Sequence, residues 1–263
     1  MAADVWASGD AYEAYVGRWS RLVARDFLRR LDQPAGRRWL DAGCGTGALT
    51  TAVLAVADPA EVVGVDPSEG FLAKARERIT DPRAEFHIAD AQALPLPDND
   101  FDVVVSGLAI NFVPDPGRAL AEFARVVRPG GVVAAYVWDY AEGMQLMRRF
   151  WDAAADVDPA AARFNEGSRF PLCRPEPLRD LWTQAGFIDV AVEAIDIPTV
   201  FADFEDYWSP FLGGQGPGPA YAMSLPEQRR DELRELLRER LPQAADGTIA
   251  LTARAWAVRG ARR

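Results

Sequence analysis

Residues 39–49 read Trp39-Leu40-Asp41-Ala42-Gly43-Cys44-Gly45-Thr46-Gly47-Ala48-Leu49. A short apolar run ends in an acid, three glycines follow at alternate positions, and helix formers resume. That order spells a buried strand, a tight turn and a helix start. Glycine takes positive φ readily and, lacking Cβ, lets main chain come close to a ligand. The helix that follows presents free N–H groups at its amino end. The turn is therefore suited to holding something small and polar against backbone.

Charge narrows what it holds. A G-x-G-x-x-G turn cradles a pyrophosphate at a helix N-terminus. Here the spacing is G-x-G-x-G, and Asp41 stands just before it. A carboxylate there repels phosphate and suits an ammonium or a sulfonium; S-adenosylmethionine carries both and no phosphate. The plainer alternative is a strand-to-helix turn whose glycines serve only close approach, so the surrounding chain has to decide.

On the amino side, residues 11–31 predict an amphipathic helix. Tyr12, Tyr15, Trp19, Leu22 or Val23, and Phe27 recur at three- to four-residue spacing, and Gly17 weakens the first part. The helix reads either as packed by its aromatic stripe or as a lid over the glycine turn, with Arg18 available for a ligand carboxylate. On the carboxyl side, strand and helix alternate. Strands are predicted at Arg37–Ala42, Glu61–Val65, Ala84–Ala89, Asp102–Ser106 and Val132–Trp138. Helices are predicted at Ala48–Val56, Ser68–Ile79 and Pro116–Val127, the last stopped by Arg128-Pro129-Gly130-Gly131. Alternation of this kind builds a mostly parallel sheet with right-handed crossovers. Beyond Trp138 come a helix at Tyr140–Ala155, an irregular stretch at Pro159–Pro177 and a short helix at Leu178–Ala185. Strand six at Ile188–Val200, an aromatic helix at Asp203–Phe211, a glycine-rich loop at Gly213–Pro219, a charged helix at Pro226–Leu241 and a last strand at Thr248–Val258 follow.

The first three strands all end in aspartate: Asp41, Asp66 and Asp90. In a parallel sheet these fall on one edge, where ligands of open α/β sheets bind. Asp66 follows the glycines at about the twenty-residue offset at which an acid meets ribose hydroxyls. Each aspartate alone reads as a helix cap or turn former; the three together favour a cationic ligand with a ribose.

The chain has 263 residues, 49% of them apolar, and a net charge of −10. That is enough for one large domain with a substantial core. The acidity argues against nucleic acid as a main partner. Two cysteines, Cys44 and Cys173, give no disulfide framework. Neither a signal peptide nor an apolar run long enough for a membrane span is evident, so a cytoplasmic protein is expected. No Ser-His-Asp set or metal cluster can be assembled, and no metal is expected. His87, the only histidine, lies inside strand three and reads as a structural residue.

Asp41-Ala-Gly-Cys-Gly-Thr-Gly, Val65-Asp66-Pro-Ser, Ala89-Asp90-Ala-Gln-Ala-Leu-Pro, Phe101-Asp-Val-Val-Val-Ser and Arg128-Pro-Gly-Gly occur in that order. Together they resemble the class I S-adenosylmethionine-dependent methyltransferases, above all the type 11 group that includes ubiquinone/menaquinone-biosynthesis-like enzymes. The resemblance covers about Arg37 to Val137, and Tyr12-Glu-Ala-Tyr-Val-Gly-Arg-Trp-Ser resembles the N-terminal segment of some members. It implies an α/β, Rossmann-like, seven-stranded sheet of order 3-2-1-4-5-7-6, strand seven antiparallel, with helical cap insertions. Residues 1–263 would form a single domain: a lid helix at 1–34, a cofactor-binding core at 37–138, and cap insertions at 139–186 and 201–245.

The resemblance also implies roles. Gly43, Cys44 and Gly45 would pass against the methionine part of S-adenosylmethionine, with Asp41 holding the loop and facing the ammonium. Asp66 would accept both ribose hydroxyls. Asp90 would accept from the adenine amino group, the Ala91 N–H would reach a ring nitrogen, and Pro67 and Phe71 would flank the adenine. The Ser106 carbonyl would bind the ammonium, while Tyr15 and Arg18 would close over the cofactor from the N-terminal segment. Where many relatives carry histidine after strand four, this chain reads Leu108-Ala109-Ile110-Asn111-Phe112, so no histidine base is expected there.

Methyl transfer needs alignment above all, and a phenol or carbon acid also needs a base. Asn111, Asp139, Tyr140 and Glu142 are candidates, each equally readable as a turn residue; no catalytic residue is assigned. Tyr12, Tyr15, Phe150, Trp151, Phe170, Trp208, Phe211 and Tyr221 would line a pocket for a small, apolar or aromatic acceptor, or form the core beneath the cap. A methyltransferase is the preferred reading, and S-adenosylmethionine binding without catalysis is the alternative. An NAD(P) oxidoreductase is disfavoured by Asp41 and by the early third glycine. The acceptor, the atom methylated and the oligomeric state stay open.

Overall fold

The computed structural model describes residues 13–214 and 216–263. The expected helix start at Ala11 and the pocket candidate Tyr12 lie outside these residues, as does Gln215. One wide turn, Glu13–Gly17, leads into α1 (Arg18–Leu31), so the chain changes helical geometry at the glycine. The alternating elements follow as the sequence predicts: β1 (Arg38–Ala42), α2 (Ala48–Val56), β2 (Glu61–Asp66), α3 (Glu69–Arg78), β3 (Ala84–Ile88), β4 (Phe101–Gly107), α4 (Pro116–Val126) and β5 (Val127–Trp138). The remainder holds α5 (Gln145–Val157), α6 (Pro175–Gln184), β6 (Ile188–Phe201), α7 (Phe204–Trp208), α8 (Pro217–Ser224), α9 (Glu227–Arg240) and β7 (Ile249–Ala261).

The seven strands run in the order β3-β2-β1-β4-β5-β7-β6. Pairing from β3 through β5 is parallel, and β7 is antiparallel. At the junction, Gly130 N–H donates to the Arg262 carbonyl and Arg262 N–H to the Gly131 carbonyl, both at 2.9 Å, so Arg262 faces two residues, the bonding of a glycine bulge in an antiparallel pair. Val62, Val63, Val103, Val104 and Val105 are buried, as strands covered on both faces require. Helix starts follow local chemistry. Ser68 Oγ accepts from Phe71 N–H (3.3 Å) ahead of α3. Asp115 accepts from Arg118 N–H (2.9 Å) ahead of α4, which opens with Pro116.

Boundaries differ from expectation where local hydrogen bonds compete with the helical or strand pattern. β5 begins at Val127, and pairing jumps from Phe101↔Val127 to Val103↔Val132, so Arg128–Gly131 bulges out of a continuing strand rather than preceding it. The helix expected from Tyr140 starts at Gln145. Ahead of it, the Asp139 carboxylate accepts from Glu142 N–H (3.0 Å) and its carbonyl from Met144 N–H (2.9 Å), which closes a turn instead. The predicted loop at Gly213–Pro219 ends early, because α8 starts at Pro217, a residue well placed in a first helical turn. The stretch expected to be irregular contains two short helices, Pro159–Phe164 and Glu166–Arg169, and the start of α6.

The described chain forms two compact units. The larger comprises Ser20–Val137, Leu172–Ile195 and Ala255–Arg263. In it, Phe27 of α1 meets Tyr136 of β5 (ring centroids 4.8 Å). Trp182 of α6 donates Nε1–H to the Val133 carbonyl (3.1 Å), which packs α6 within this unit. The smaller comprises the described part of residues 1–19 with Trp138–Pro171 and Asp196–Arg254. Its core is aromatic: Phe150 stacks on Phe211 (4.3 Å), Tyr15 meets Phe211 edge-on (5.2 Å), and Trp151 leans on Tyr221 (5.5 Å). Among the described residues, no helix is long and apolar enough to cross a membrane.

Candidate functional site

The parallel register of β1, β2 and β3 brings the three predicted aspartates to one edge. Asp41 lies in register with Gly64 and Val105, and Asp66 with Ile88, while Asp90 follows β3 closely. The opposite edge is neutralised by ion pairs: Arg38 holds Glu61 and Asp100, and its backbone N–H donates to Asp102 (2.7 Å). The carboxyl edge is therefore the electronegative one.

Asp41 is fully buried. Its Oδ2 accepts from Thr50 Oγ1–H in α2 (2.7 Å), and its Oδ1 has no hydrogen-bond partner. Burial raises its pKa to about 7, opposed by the Thr50 hydrogen bond and reinforced by the neighbouring Asp66 charge. A buried carboxylate with an orphan oxygen is stabilised by a cation and penalised by a phosphate. Thr50 escaped the sequence reading. Its signal is a hydroxyl in the first turn of the helix that follows an acidic strand end.

The glycine turn is shaped by what it must avoid. Gly43 (φ +78°) approaches Ala109 so closely that a Cβ would fall 2.5 Å from the Ala109 Cβ. Gly45 (φ +54°) has open space where a Cβ would point, and its N–H donates to Asp66 Oδ2 (3.0 Å). Asp66 Oδ1 accepts from Ser68 N–H (2.8 Å), so one carboxylate joins the ends of β1 and β2. Burial raises the Asp66 pKa, and the two backbone hydrogen bonds oppose the rise. Gly43→Ala combines a left-handed φ with this collision. It is expected to cost about 2–4 kcal/mol of stability, read as a lowered denaturation midpoint at unchanged m-value.

Cys44 lies beneath the turn against Leu72, Ala75 and Phe86. Burial pushes its thiol pKa well up, so it is an inert wall at neutral pH. Asp90 is exposed, and its pKa is lowered by hydrogen bonds from Gln92, whose backbone N–H lies at 2.9 Å. Around the aspartates stand Pro67, half-buried Phe71 and Ala91, and Ile88, whose 57% exposure leaves a large aliphatic side chain uncovered at the end of β3. Ser106 is buried at the end of β4. Leu108 then takes φ +58°, an unusual conformation for a non-glycine residue, with its N–H donating to the Tyr136 carbonyl (2.8 Å). The exposure of Ile88 and the strain at Leu108 leave no trace in sequence pattern, because both follow from register and from the neighbouring strand.

Together Asp41, Gly43, Cys44, Gly45, Asp66, Pro67, Phe71, Asp90, Ala91 and Ser106 all fall in the larger unit. Arg18 and Tyr15 belong to the smaller. There Arg18 Nη1 donates to Asp206 Oδ1 (2.8 Å), its guanidinium lies over the Trp19 and Phe201 rings (4.6 and 4.8 Å), and its Nε has no hydrogen-bond partner. Tyr15, Phe150, Trp151, Trp208, Phe211 and Tyr221 are buried against one another, so they form the core of the smaller unit; Phe170 is half-buried and meets Tyr140 (5.9 Å). Of the candidate bases, Asp139 is buried and caps its own turn, Tyr140 is buried, and Glu142 is exposed. His87 sits on the edge strand, half exposed, beside Glu85 (3.3 Å). Among the described residues, no group of three or more His, Cys, Asp or Glu could hold a metal ion.

The arrangement offers a ribose-type acceptor at Asp66, an open backbone passage at Gly45 and a buried carboxyl at Asp41 that a cation would ionise. Such an edge can hold a cationic nucleoside with its charged end toward β1 and β4. A family model described as a methyltransferase domain matches residues 40–135. Over 206 residues the chain is 39% identical to a demethylmenaquinone methyltransferase of Symbiobacterium thermophilum, covering 70% of this chain and 81% of the relative. Over 197 residues it is 29% identical to the ubiquinone/menaquinone biosynthesis C-methyltransferase UbiE of Desulfotalea psychrophila, with 70% and 77% covered. Among solved structures, the YcgJ protein of Bacillus subtilis has a similar fold, with a TM-score of 0.60 at 18% identity over 94% of this chain and 99% of that one.

Proposed function

The chain belongs to the type 11 group of class I S-adenosylmethionine-dependent methyltransferases, and from that membership we propose that it methylates a small acceptor of the phenol or quinol kind. The observation that carries the cofactor half is the Asp41–Asp66 pair around the glycine turn. Asp41 offers a buried, unpartnered oxygen, and Asp66 keeps lone pairs beyond those taken by Gly45 and Ser68. The proposed roles follow the strand order. Asp90 beside β3 takes the adenine amino group and Asp66 on β2 the ribose. Gly43–Gly45 after β1 takes the methionine chain, and the Ser106 carbonyl on β4 takes its ammonium. Pro67, Phe71 and Ile88 supply apolar surface for the base. An NAD(P) pyrophosphate in this place would face Asp41.

When bound, S-adenosylmethionine supplies an electrophilic methyl group on a sulfonium. The chain's own part is to hold the reactants in line and exclude water, which is worth about 7–11 kcal/mol when the geometry is right. The segment after β4 carries Asn111, an amide without basicity, so an acceptor that is already electron-rich fits best. Relatives named for menaquinone and ubiquinone biosynthesis support a quinol-type ring.

Transfer of isotopically labelled methyl from S-adenosylmethionine to a panel of hydroquinones, phenols and amines tests the acceptor half. Label is expected on a hydroquinone or phenol, with a rate that rises as the acceptor hydroxyl ionises. Label on amines alone would contradict the reading.

A further inference from the structure

One side chain on the carboxyl edge has a donor with nothing to donate to. Asn111 lies in a one-turn helix, Ile110–Phe112, just beyond β4. Its Nδ2 is buried and has no hydrogen-bond partner. Folds avoid burying an amide donor unpaired, and the exceptions mark places that a ligand or water completes. The backbone leading to Asn111 is held on both sides. Leu108, at φ +58°, is tied through its N–H to the Tyr136 carbonyl, and Ala109 fills the space against which Gly43 must lack a Cβ. The turn that presents Asn111 is thus locked against the first glycine of the cofactor turn, at a cost in backbone strain that is characteristic of functional positions.

Its place along the edge narrows the ligand group. Read from β3 through β2 and β1 to β4, the edge presents Asp90, Asp66, Gly43–Gly45 and then Ser106 to Asn111. A cofactor laid along that order, as proposed above, brings its amino-acid head to β4. That head carries an ammonium and a carboxylate. Asp41 and the Ser106 carbonyl, one an anion and the other a neutral acceptor, suit the ammonium. The carboxylate needs a donor, and Asn111 stands at that end of the edge, while Arg18, the arginine expected to supply one, donates through Nη1 to Asp206 within the smaller unit. We infer that the Asn111 side-chain amide binds the carboxylate of the cofactor's amino-acid head. The inference rests on the proposed cofactor reading and adds to it a residue that neither the motifs nor the aspartate edge supplies. A neutral donor there also leaves the electronegative character of the edge intact for the sulfonium.

The test is calorimetric titration of wild type, Asn111→Asp and Asn111→Leu with S-adenosylhomocysteine and with 5′-methylthioadenosine, which lacks the amino-acid head. Asn111→Leu removes the orphan donor and should fold at least as well as wild type, as its melting curve will show. The expected result is a loss of S-adenosylhomocysteine affinity of about tenfold in Asn111→Leu and more in Asn111→Asp, where like charges oppose. 5′-Methylthioadenosine should bind all three within about twofold. Equal losses for both ligands would make Asn111 structural and overturn the assignment. So would unchanged binding, or tighter S-adenosylhomocysteine binding in Asn111→Asp, which would turn the side chain toward the ammonium. A wild-type chain that binds neither nucleoside would overturn the cofactor reading itself, an outcome distinct from wild-type binding that the variants leave unchanged.

Discussion

Asp66→Ala is expected to lower S-adenosylhomocysteine affinity by at least about 100-fold, the largest effect of any single substitution on this edge. Two losses combine. The carboxylate accepts from Gly45 N–H at 3.0 Å and from Ser68 N–H at 2.8 Å, so its removal leaves two donors at the site unpaired and frees the glycine turn from the end of β2. It also removes the proposed acceptor of the ribose hydroxyls, and hydrogen bonds to a charged group contribute about 1.5–3 kcal/mol each. Two such bonds exceed the roughly 2.8 kcal/mol that a hundredfold change requires. Asp66→Asn separates the contributions. Its amide oxygen can still accept from one backbone N–H, but its NH2 group faces donors, so an intermediate loss is expected. Calorimetry on variants with matched melting curves measures both. Binding of S-adenosylhomocysteine to Asp66→Ala within about threefold of wild type would remove Asp66 from the ligand.

Asp41→Asn is expected to trade binding for stability, and pH exposes the trade. In the folded chain, burial holds the Asp41 pKa at about 7, against 3.8 for an unperturbed aspartate. Between these values the folded state keeps a proton that the unfolded state has released. Stability therefore falls as pH rises from about 4 to about 7, and the penalty stays constant above that. Asparagine keeps an oxygen for the Thr50 hydroxyl and removes the penalty. At pH 8 the variant should be more stable than wild type, by about 4 kcal/mol at most, and unfold at a higher temperature, and the gap should close toward pH 4. Binding should run the opposite way. A ligand bearing an ammonium and a sulfonium favours the ionised carboxyl, so wild-type affinity for S-adenosylmethionine should rise as pH increases through about 7. The variant should bind at least about tenfold more weakly with a flat profile over that range. Parallel melting and titration series at pH 5.5, 7 and 8.5 read both effects. A wild-type affinity that does not change over this range would separate Asp41 from the cation.

The fold was legible because its cues are local. β1, β2 and β4 are short, largely apolar runs bounded by turn signals, and Ser68, at the head of the predicted helix, caps it in the fold. The sheet order, with β7 antiparallel, followed from the family resemblance rather than from periodicity, since no local pattern encodes which strand neighbours which. What failed was set by contacts between residues close in sequence but outside regular patterns. The Asp139 side chain diverts residues 140–143 into a turn, and a proline at the head of α8 reads as loop until the helix behind it is seen.

The candidate site divides in the same way. Asp41, Asp66 and Asp90 were readable because strand ends in a parallel sheet share an edge. Thr50 beneath Asp41, exposed Ile88 and the strained turn at Leu108 were not, since each depends on a neighbour supplied by another element. Arg18 shows the limit most clearly. Its sequence context suggests a ligand, but Asp206, nearly two hundred residues later in the chain, supplies the carboxylate it holds.

The most direct measurement is calorimetric titration of the wild-type chain with S-adenosylmethionine, S-adenosylhomocysteine and NADH in parallel. Micromolar binding of the first two and none of NADH is the result predicted by an electronegative glycine turn with Asp41 behind it and Asp66 across it. Binding of NADH alone would make the turn a pyrophosphate site in spite of Asp41 and would contradict the assignment of this edge to a cationic nucleoside.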